Sequence, residues 1–196
     1  MKIGVIGAGS IGTAIAKHVA HAGYDTVISN SRGADTLKEK AELIGGNVKP
    51  GSVEEASQAD VVFLAVRWQQ VPDALKNISL VDKIVVDTTN WDTPESIEGK
   101  PGSKTSSEEV AEIAKGAKVV KAFNTLYAPV LAKDPNVNGG KRVIFYSGND
   151  DQAKAEVSSI INRIGFAGVD LGTLHEGGKS QRYPGGSLPE LNLIKY

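Results

Sequence analysis

Three glycines near the amino terminus, in Gly7-Ala8-Gly9-Ser10-Ile11-Gly12, stand at the spacing that brings a backbone against a pyrophosphate. The first permits a tight turn, the second keeps a side chain out of the way of phosphates, and the third lets a helix lie close on a strand. The spacing alone is common. Here it follows the β-branched run Ile3–Ile6 and precedes Ile11, Ile15 and Val19, apolar at spacing four, with Gly23 as a stop. A strand, a glycine turn and a helix in that order aim unpaired N–H groups and the positive end of a helix dipole at an anion. Gly7, Gly9, Ser10, Ile11 and Gly12 therefore read as a dinucleotide cradle.

The end of the second strand selects the dinucleotide. A carboxylate there would accept hydrogen bonds from the ribose hydroxyls and suit NAD(H). This chain has Ser29-Asn30-Ser31-Arg32-Gly33 instead. Asn30 and Ser31 offer neutral donors and Arg32 a planar cation, a set that suits a 2′-phosphate. NADP(H) is the expected cofactor.

Three later strand ends also carry polar or aromatic residues where a ligand would lie. Val66 leads into Arg67 and Trp68, Asp87 into Thr88, Thr89, Asn90 and Trp91, and Phe123 into Asn124, Thr125, Leu126 and Tyr127. The amides of Asn90 and Asn124 can orient a nicotinamide carboxamide or an acceptor ring, or they can cap the next helix or turn. Trp68 and Trp91 can stack on a planar ring or pack on a neighbouring loop.

Other chemistries find little support. With no cysteine there is no disulfide, thiol nucleophile or thiolate metal site. His18 and His21 lie one turn apart without a third ligand and read as a solvated helix face, as do Lys38, Glu39, Lys40 and Glu42. His175 and Glu176 sit in a flexible-looking, glycine-rich stretch with no partner that would make an acid or base of them. No Tyr/Lys or Ser/Lys dyad is placed for carbonyl reduction. Neither a metal nor a single catalytic side chain is expected. The net charge of −1 points away from nucleic acid and anionic membranes, and the longest aliphatic runs are too short to span a bilayer. Because Lys2–Gly7 already reads as a core strand, no room is left for a signal peptide, and a cytoplasmic protein is expected.

These residues need a scaffold, and the rest of the pattern supplies one. Short apolar runs at Ile3–Ile6, Thr26–Ser29, Val61–Val66, Ile84–Asp87, Val119–Phe123, Val143–Tyr146 and Val169–Leu171 alternate with helical stretches. Several runs are apolar at consecutive positions, as in strands buried on both faces of a parallel sheet. Ser52 with Glu55, and Ser106 with Glu109, fit capping boxes. Asp150 opens a helix with the stripe Val157, Ile160, Ile161 and Ile164, and Gly165 closes it. The fold class is α/β: a doubly wound, mostly parallel Rossmann sheet with helices on both faces and a short C-terminal extension. Residues 1–171 form the NADP-binding domain. Residues 172–196 are a glycine- and proline-rich tail of little periodicity, expected at an acceptor cleft or a dimer interface.

The chain resembles the coenzyme F-420-dependent NADP oxidoreductases and their bacterial homologues. The likeness lies in Ile3-Gly4-Val5-Ile6 with the glycine turn, Ser29-Asn30-Ser31-Arg32, Asp60-Val61-Val62-Phe63-Leu64-Ala65-Val66 and Asp87-Thr88-Thr89-Asn90. It continues in Lys121-Ala122-Phe123-Asn124-Thr125-Leu126, Ser147-Gly148-Asn149-Asp150-Asp151 and Gly165-Phe166, and so covers nearly the whole chain. The resemblance implies hydride transfer between NADPH and a deazaflavin or flavin-like ring, with coenzyme F-420, FMN or FAD as the candidate acceptor. It implies that Ser31 and Arg32 hold the 2′-phosphate and that Ala65, Val66 and Asn90 line the nicotinamide end. It places Asn124, Leu126, Gly185, Gly186 and Leu188 at the acceptor cleft, and it implies a homodimer. Two rival readings stand beside it: a non-catalytic NADP(H)-binding redox sensor, and an imine or small-carbonyl reductase. The second would need a further helical domain, which the roughly 25 residues after Leu171 are too few to form.

Overall fold

The computed structural model describes residues 1–91 and 104–196. In chain order the elements are β1 (Lys2–Ile6), α1 (Ser10–His21), β2 (Asp25–Ser29), α2 (Lys38–Ile44), β3 (Val48–Gly51), α3 (Val53–Ser57) and β4 (Val61–Leu64). Then come α4 (Val71–Leu75), β5 (Ile84–Asp87), α5 (Ser106–Ile113), β6 (Lys118–Ala122), α6 (Ala128–Leu131), β7 (Asn136–Val137) and β8 (Gly140–Gly148). The chain finishes with α7 (Asp151–Arg163), β9 (Ala167–Asp170), α8 (Leu174–Gln181) and β10 (Ile194–Lys195).

The parallel strands lie in the order β3-β2-β1-β4-β5-β6, the doubly wound arrangement with its crossover beside β1. β8 then joins β6 antiparallel and carries β9 parallel to itself. Two apolar layers grow from alternate residues of the same strands. Ile3 and Val5 of β1, Val61 and Phe63 of β4, and Val120 and Ala122 of β6 enter one core with α1 and α7. Ile6, Val62, Leu64 and Val119 enter the other with Ala56, Leu75, Val110 and Leu174. That two-sided burial is why the runs are apolar at every position. Each fully buried aliphatic or aromatic side chain contributes roughly 1.5–3 kcal/mol.

Most expected elements are present, with shifted ends. β4 stops at Leu64, so Ala65 and Val66 lie beyond it, and β9 is Ala167–Asp170 where Val169–Leu171 was expected. Ser52 and Glu55 do form a capping box on α3. On α5 the box is one residue earlier: Thr105 is the cap and Glu108 its partner, not Ser106 and Glu109. The helix over the Asp150 stripe is α7, capped by Asp150 through Ala153 N.

The tail is more regular than its composition suggests. Thr173 caps α8, and Gly177 and Gly178 sit inside that helix. A β-carbon at Gly177 would come within 2.4 Å of the Ser147 side chain, so the helix needs a glycine to lie this close to β8. Two glycines and a proline-rich sequel hid the helical period. The stretch 88–105, rich in Thr, Ser, Gly, Pro and Lys and readable as a substrate wall or merely a connection, falls mostly outside the described residues. Among the described residues no helix is long and apolar enough to cross a membrane.

Candidate functional site: a glycine turn and a buried polar cluster

The residue after β1 is Gly7, with φ +111°, a conformation L side chains rarely adopt. Its N–H donates to Ser29 O at 3.0 Å, which ties the turn to the end of β2. Gly12 lies against the turn, where a β-carbon would meet Gly7 O at 1.9 Å, whereas a β-carbon at Gly9 would meet nothing within 4 Å. Gly9 precedes α1, and no side chain caps that helix or places an acid in its first turn. The early N–H groups of α1 thus lack side-chain partners beside open space, a setting that suits a phosphate. Ser10 is exposed there, while Ile11 packs on the core.

Lys40 is not part of a solvated run. Its Nζ donates to Ala8 O at 2.9 Å and lies 3.5 Å from Thr13 Oγ1, so α2 grips the glycine turn from outside.

A cavity of about 670 Å³ opens at this turn, within the usual range for small-molecule sites. Gly7, Ala8 and Gly9 line it together with Asn30, Ser31 and Arg32 after β2 and Ala65, Val66 and Arg67 after β4. Val53, Glu54, Gln70, Asp73, Ala74, Asn77 and Ile78 complete the wall, and none of these seven stood out in the sequence. Asn30 builds its own turn: Oδ1 accepts from Arg32 N at 2.9 Å and Nδ2 donates to Thr36 Oγ1 at 3.0 Å. The Arg32 side chain is exposed, and nothing among the described residues accepts from its guanidinium. Hydrogen bonds from its own N–H and from the Ser52 hydroxyl hold the Glu54 carboxyl below the usual range, so the wall carries an anion as well as a cation.

The remaining expected residues do not line this cavity. Asn90 and Asn124 lie instead just after β5 and β6, beside a buried ion pair that sequence reading missed. Lys121 and Asp87 are neighbours in register and lie 3.3 Å apart, Nζ to Oδ2, at 1% and 0% side-chain exposure. Lys121 Nζ also donates to Thr89 O at 3.1 Å and to Ser106 Oγ at 3.4 Å. Ser107 Oγ donates to the same Asp87 oxygen, and Thr89 N donates to Oδ1 at 2.9 Å. A lysine inside the apolar run Val119–Phe123 was the available signal, since a buried charge requires a partner.

Directly after the pair, Asn124 Nδ2 donates to Gln181 O at 2.7 Å and to Asn90 Oδ1 at 2.9 Å. Gln181, fully buried at the end of α8, bonds Ser147, Phe145 and Asn124. Thr89 Oγ1 is buried without a partner among the described residues. Trp68 and Trp91 pack on each other with centroids 5.8 Å apart. Leu126 is buried in the core; Leu188 N donates to Ser180 O at 3.1 Å and Gly186 N to Arg182 O at 2.7 Å, which folds this turn back on the end of α8.

Two histidines stand otherwise than expected. His18 is half-buried, with Nε2 at 2.7 Å from Leu131 O and its ring edge-on to Phe166, and His21 Nε2 meets Ile44 O at 3.0 Å. His18 thus leaves the expected solvated face, whereas His21 remains exposed on it. His175 is on the ordered helix α8, between Glu108 at 3.2 Å and Lys179 at 2.7 Å. No group of metal-ligating side chains occurs among the described residues.

A glycine turn at the crossover of a doubly wound sheet defines a Rossmann-type dinucleotide-binding protein. Residues 2–91 match the family described as NADP oxidoreductase, coenzyme F420-dependent. The hypothetical protein SMa0349 of Sinorhizobium meliloti is 43% identical, with a TM-score of 0.91 over 100% of this chain and 97% of that one. A candidate F420-dependent NADP-reductase from Arthrobacter sp. FB24 is 25% identical, with a TM-score of 0.77 over 92% of this chain and 89% of that one. Metalloreductase STEAP3 of Rattus norvegicus is 28% identical over 191 residues, 96% of this chain and 37% of that protein. The chain thus spans little more than a third of the length of the curated relatives it matches first.

Proposed function

We propose that the chain binds NADP(H) along the glycine-turn cavity and transfers a hydride between it and a deazaflavin, flavin or similar conjugated ring. The observation that carries this reading is one cavity lined by Gly9, at the uncapped start of α1, and by Arg32, whose guanidinium has no acceptor among the described residues. The family match over residues 2–91 and the Arthrobacter relative's description support it.

On this reading the first turn of α1, from Ser10 to Gly12, holds the pyrophosphate through backbone N–H groups. Ser31 and Arg32 hold the 2′-phosphate, Arg32 by charge-assisted hydrogen bonds. Ala65, Val66 and Asn90 bound the nicotinamide end. Asn124, Leu126, Gly185, Gly186 and Leu188 form the side from which the acceptor enters, with Trp68 and Trp91 beside it. When bound, the nicotinamide supplies the hydride; the protein's part is to align donor and acceptor carbons and to limit water. The tail also carries a two-fold homodimer contact in this proposal, since Tyr183, Leu191 and Leu193 are exposed there.

The test is a turnover screen of NADPH against coenzyme F-420, FMN, FAD, quinones and ferric chelates. NADPH oxidation with a ring-bearing acceptor is expected. Tight NADPH binding with no turnover would assign a redox sensor, and turnover with cyclic imines alone would assign an imine reductase. Light scattering at micromolar concentration checks the dimer.

A further inference from the structure

The hydride-transfer reading leaves unused a lysine and an aspartate that are fully buried at the carboxyl ends of β5 and β6. A buried ion pair is poor evidence for stability, because well-packed apolar side chains usually do as well. Its value lies in geometry. Lys121 Nζ reaches Asp87 within its own sheet, Thr89 O at the start of the next loop, and Ser106 Oγ at the start of α5. One ammonium therefore fixes both described flanks of the segment between β5 and α5. The peptide it holds immediately precedes Asn90, whose amide meets Asn124. From the opposite side Phe123 enters a left-handed conformation, φ +65°, and is held by edge-on packing with Phe63 at 5.6 Å. A buried bulky residue in that conformation is strained and persists only where its surroundings enforce it.

We propose that Lys121, with Asp87, is a positioning residue for the nicotinamide: it holds the Thr89 carbonyl so that Asn90 is presented rigidly at the reacting end of the cofactor. This rests on the proposed NADP(H) site. Lys121 touches no reacting atom and acts through the peptide it fixes. The glycine turn and Arg32 belong to other elements, so the grip on the phosphates is independent of it.

The test uses the intact chain, NADPH as the probe, calorimetry for affinity and the fluorescence of bound NADPH for the state of the nicotinamide. In Asp87→Asn/Lys121→Met no charge is left unpaired. Its dissociation constant is expected to stay within roughly threefold of wild type, while the nicotinamide fluorescence enhancement falls at least about twofold because the ring is no longer held. An unchanged enhancement in a folded, NADPH-binding variant overturns the proposal. Where the double variant does not fold, Ser106→Ala, which removes one acceptor from Lys121 and keeps the ion pair, must show a smaller loss of the same signal; no loss overturns the proposal equally. Wild type that binds NADPH without enhancement also overturns it, whereas wild type that fails to bind NADPH at all refutes the functional reading itself.

Discussion

Asn90 and Asn124 are joined twice: Asn124 Nδ2 donates to Asn90 Oδ1 at 2.9 Å, and Asn90 Nδ2 donates to Asn124 O at 3.3 Å. The link bridges adjacent strand ends, and Gln181 O takes the remaining Asn124 donor. Asn124→Ala removes three side-chain hydrogen bonds from a buried place and is expected to destabilise the fold by about 1–3 kcal/mol. Turnover with the acceptor found in the screen is expected to drop roughly ten- to a hundredfold for Asn124→Ala and for Asn90→Ala, through lost alignment. His175→Ala, away from this link, is expected to change turnover little. Thermal unfolding and steady-state rates check all three, and abolition of turnover by His175→Ala would instead establish a general acid.

On the proposed function, Arg32 and Lys40 separate two kinds of cofactor contact. Arg32→Ala is expected to weaken NADPH by about ten- to a hundredfold, the worth of a charge-assisted partner, and to leave NADH nearly unchanged. Lys40→Met releases the Ala8 carbonyl and is expected to weaken NADPH and NADH alike, by roughly three- to tenfold. Calorimetry with both cofactors distinguishes the cases. Equal losses at Arg32 would remove it from the 2′-phosphate, and a loss confined to NADPH at Lys40 would place Lys40 there.

Gly9 and Gly7 are expected to fail differently. Gly9→Val puts its side chain into open space, so the melting temperature should hold while NADPH binding is lost. Gly7→Ala drives a β-carbon to within 2.2 Å of Ala65 O at a positive φ, and stability should fall by about 1–3 kcal/mol or more. A Gly9→Val protein that binds NADPH normally would show that the turn is not the phosphate cradle.

These differences mark what was legible in the sequence. The glycine turn, the Ser29–Arg32 turn and the α7 stripe are local patterns, and each expresses its geometry within a few residues. Asp87 and Lys121 lie far apart in the chain and meet only because β6 lies beside β5 in a register that sets them opposite one another. Lys40 reads as surface charge until α2 is folded back over Ala8. Gln181 was hidden because its helix contains the glycines that let it approach β8. The strand patterns give the presence of a sheet but not which strand ends become neighbours, and the polar cluster depends on that order.

His18 makes stability depend on pH. Burial is the main cause that holds its imidazole below the ordinary pKa, against a smaller opposing effect of the Leu131 carbonyl. The unfolded chain then binds more protons than the folded one between the two values. Its contribution is complete above the unfolded pKa of about 6.5 and is lost as pH falls through the lower folded value. His18→Gln, which keeps a donor for Leu131 O, is expected to flatten the decline in urea midpoint between about pH 7 and pH 5. Parallel declines in both proteins would assign the effect to other groups.

The position of Gln181 also orders events during synthesis. Its side chain bonds Ser147 and Phe145, and its carbonyl holds Asn124, although it is translated long after all three. A nascent chain released only through β9 would already contain the phosphate turn, yet Asn124 would lack one acceptor and Ser147 its partner. The ribosome thus completes the two ends of the proposed cofactor site at different times: the glycine turn can form early, and the polar cluster beyond β5 and β6 waits for α8 to emerge.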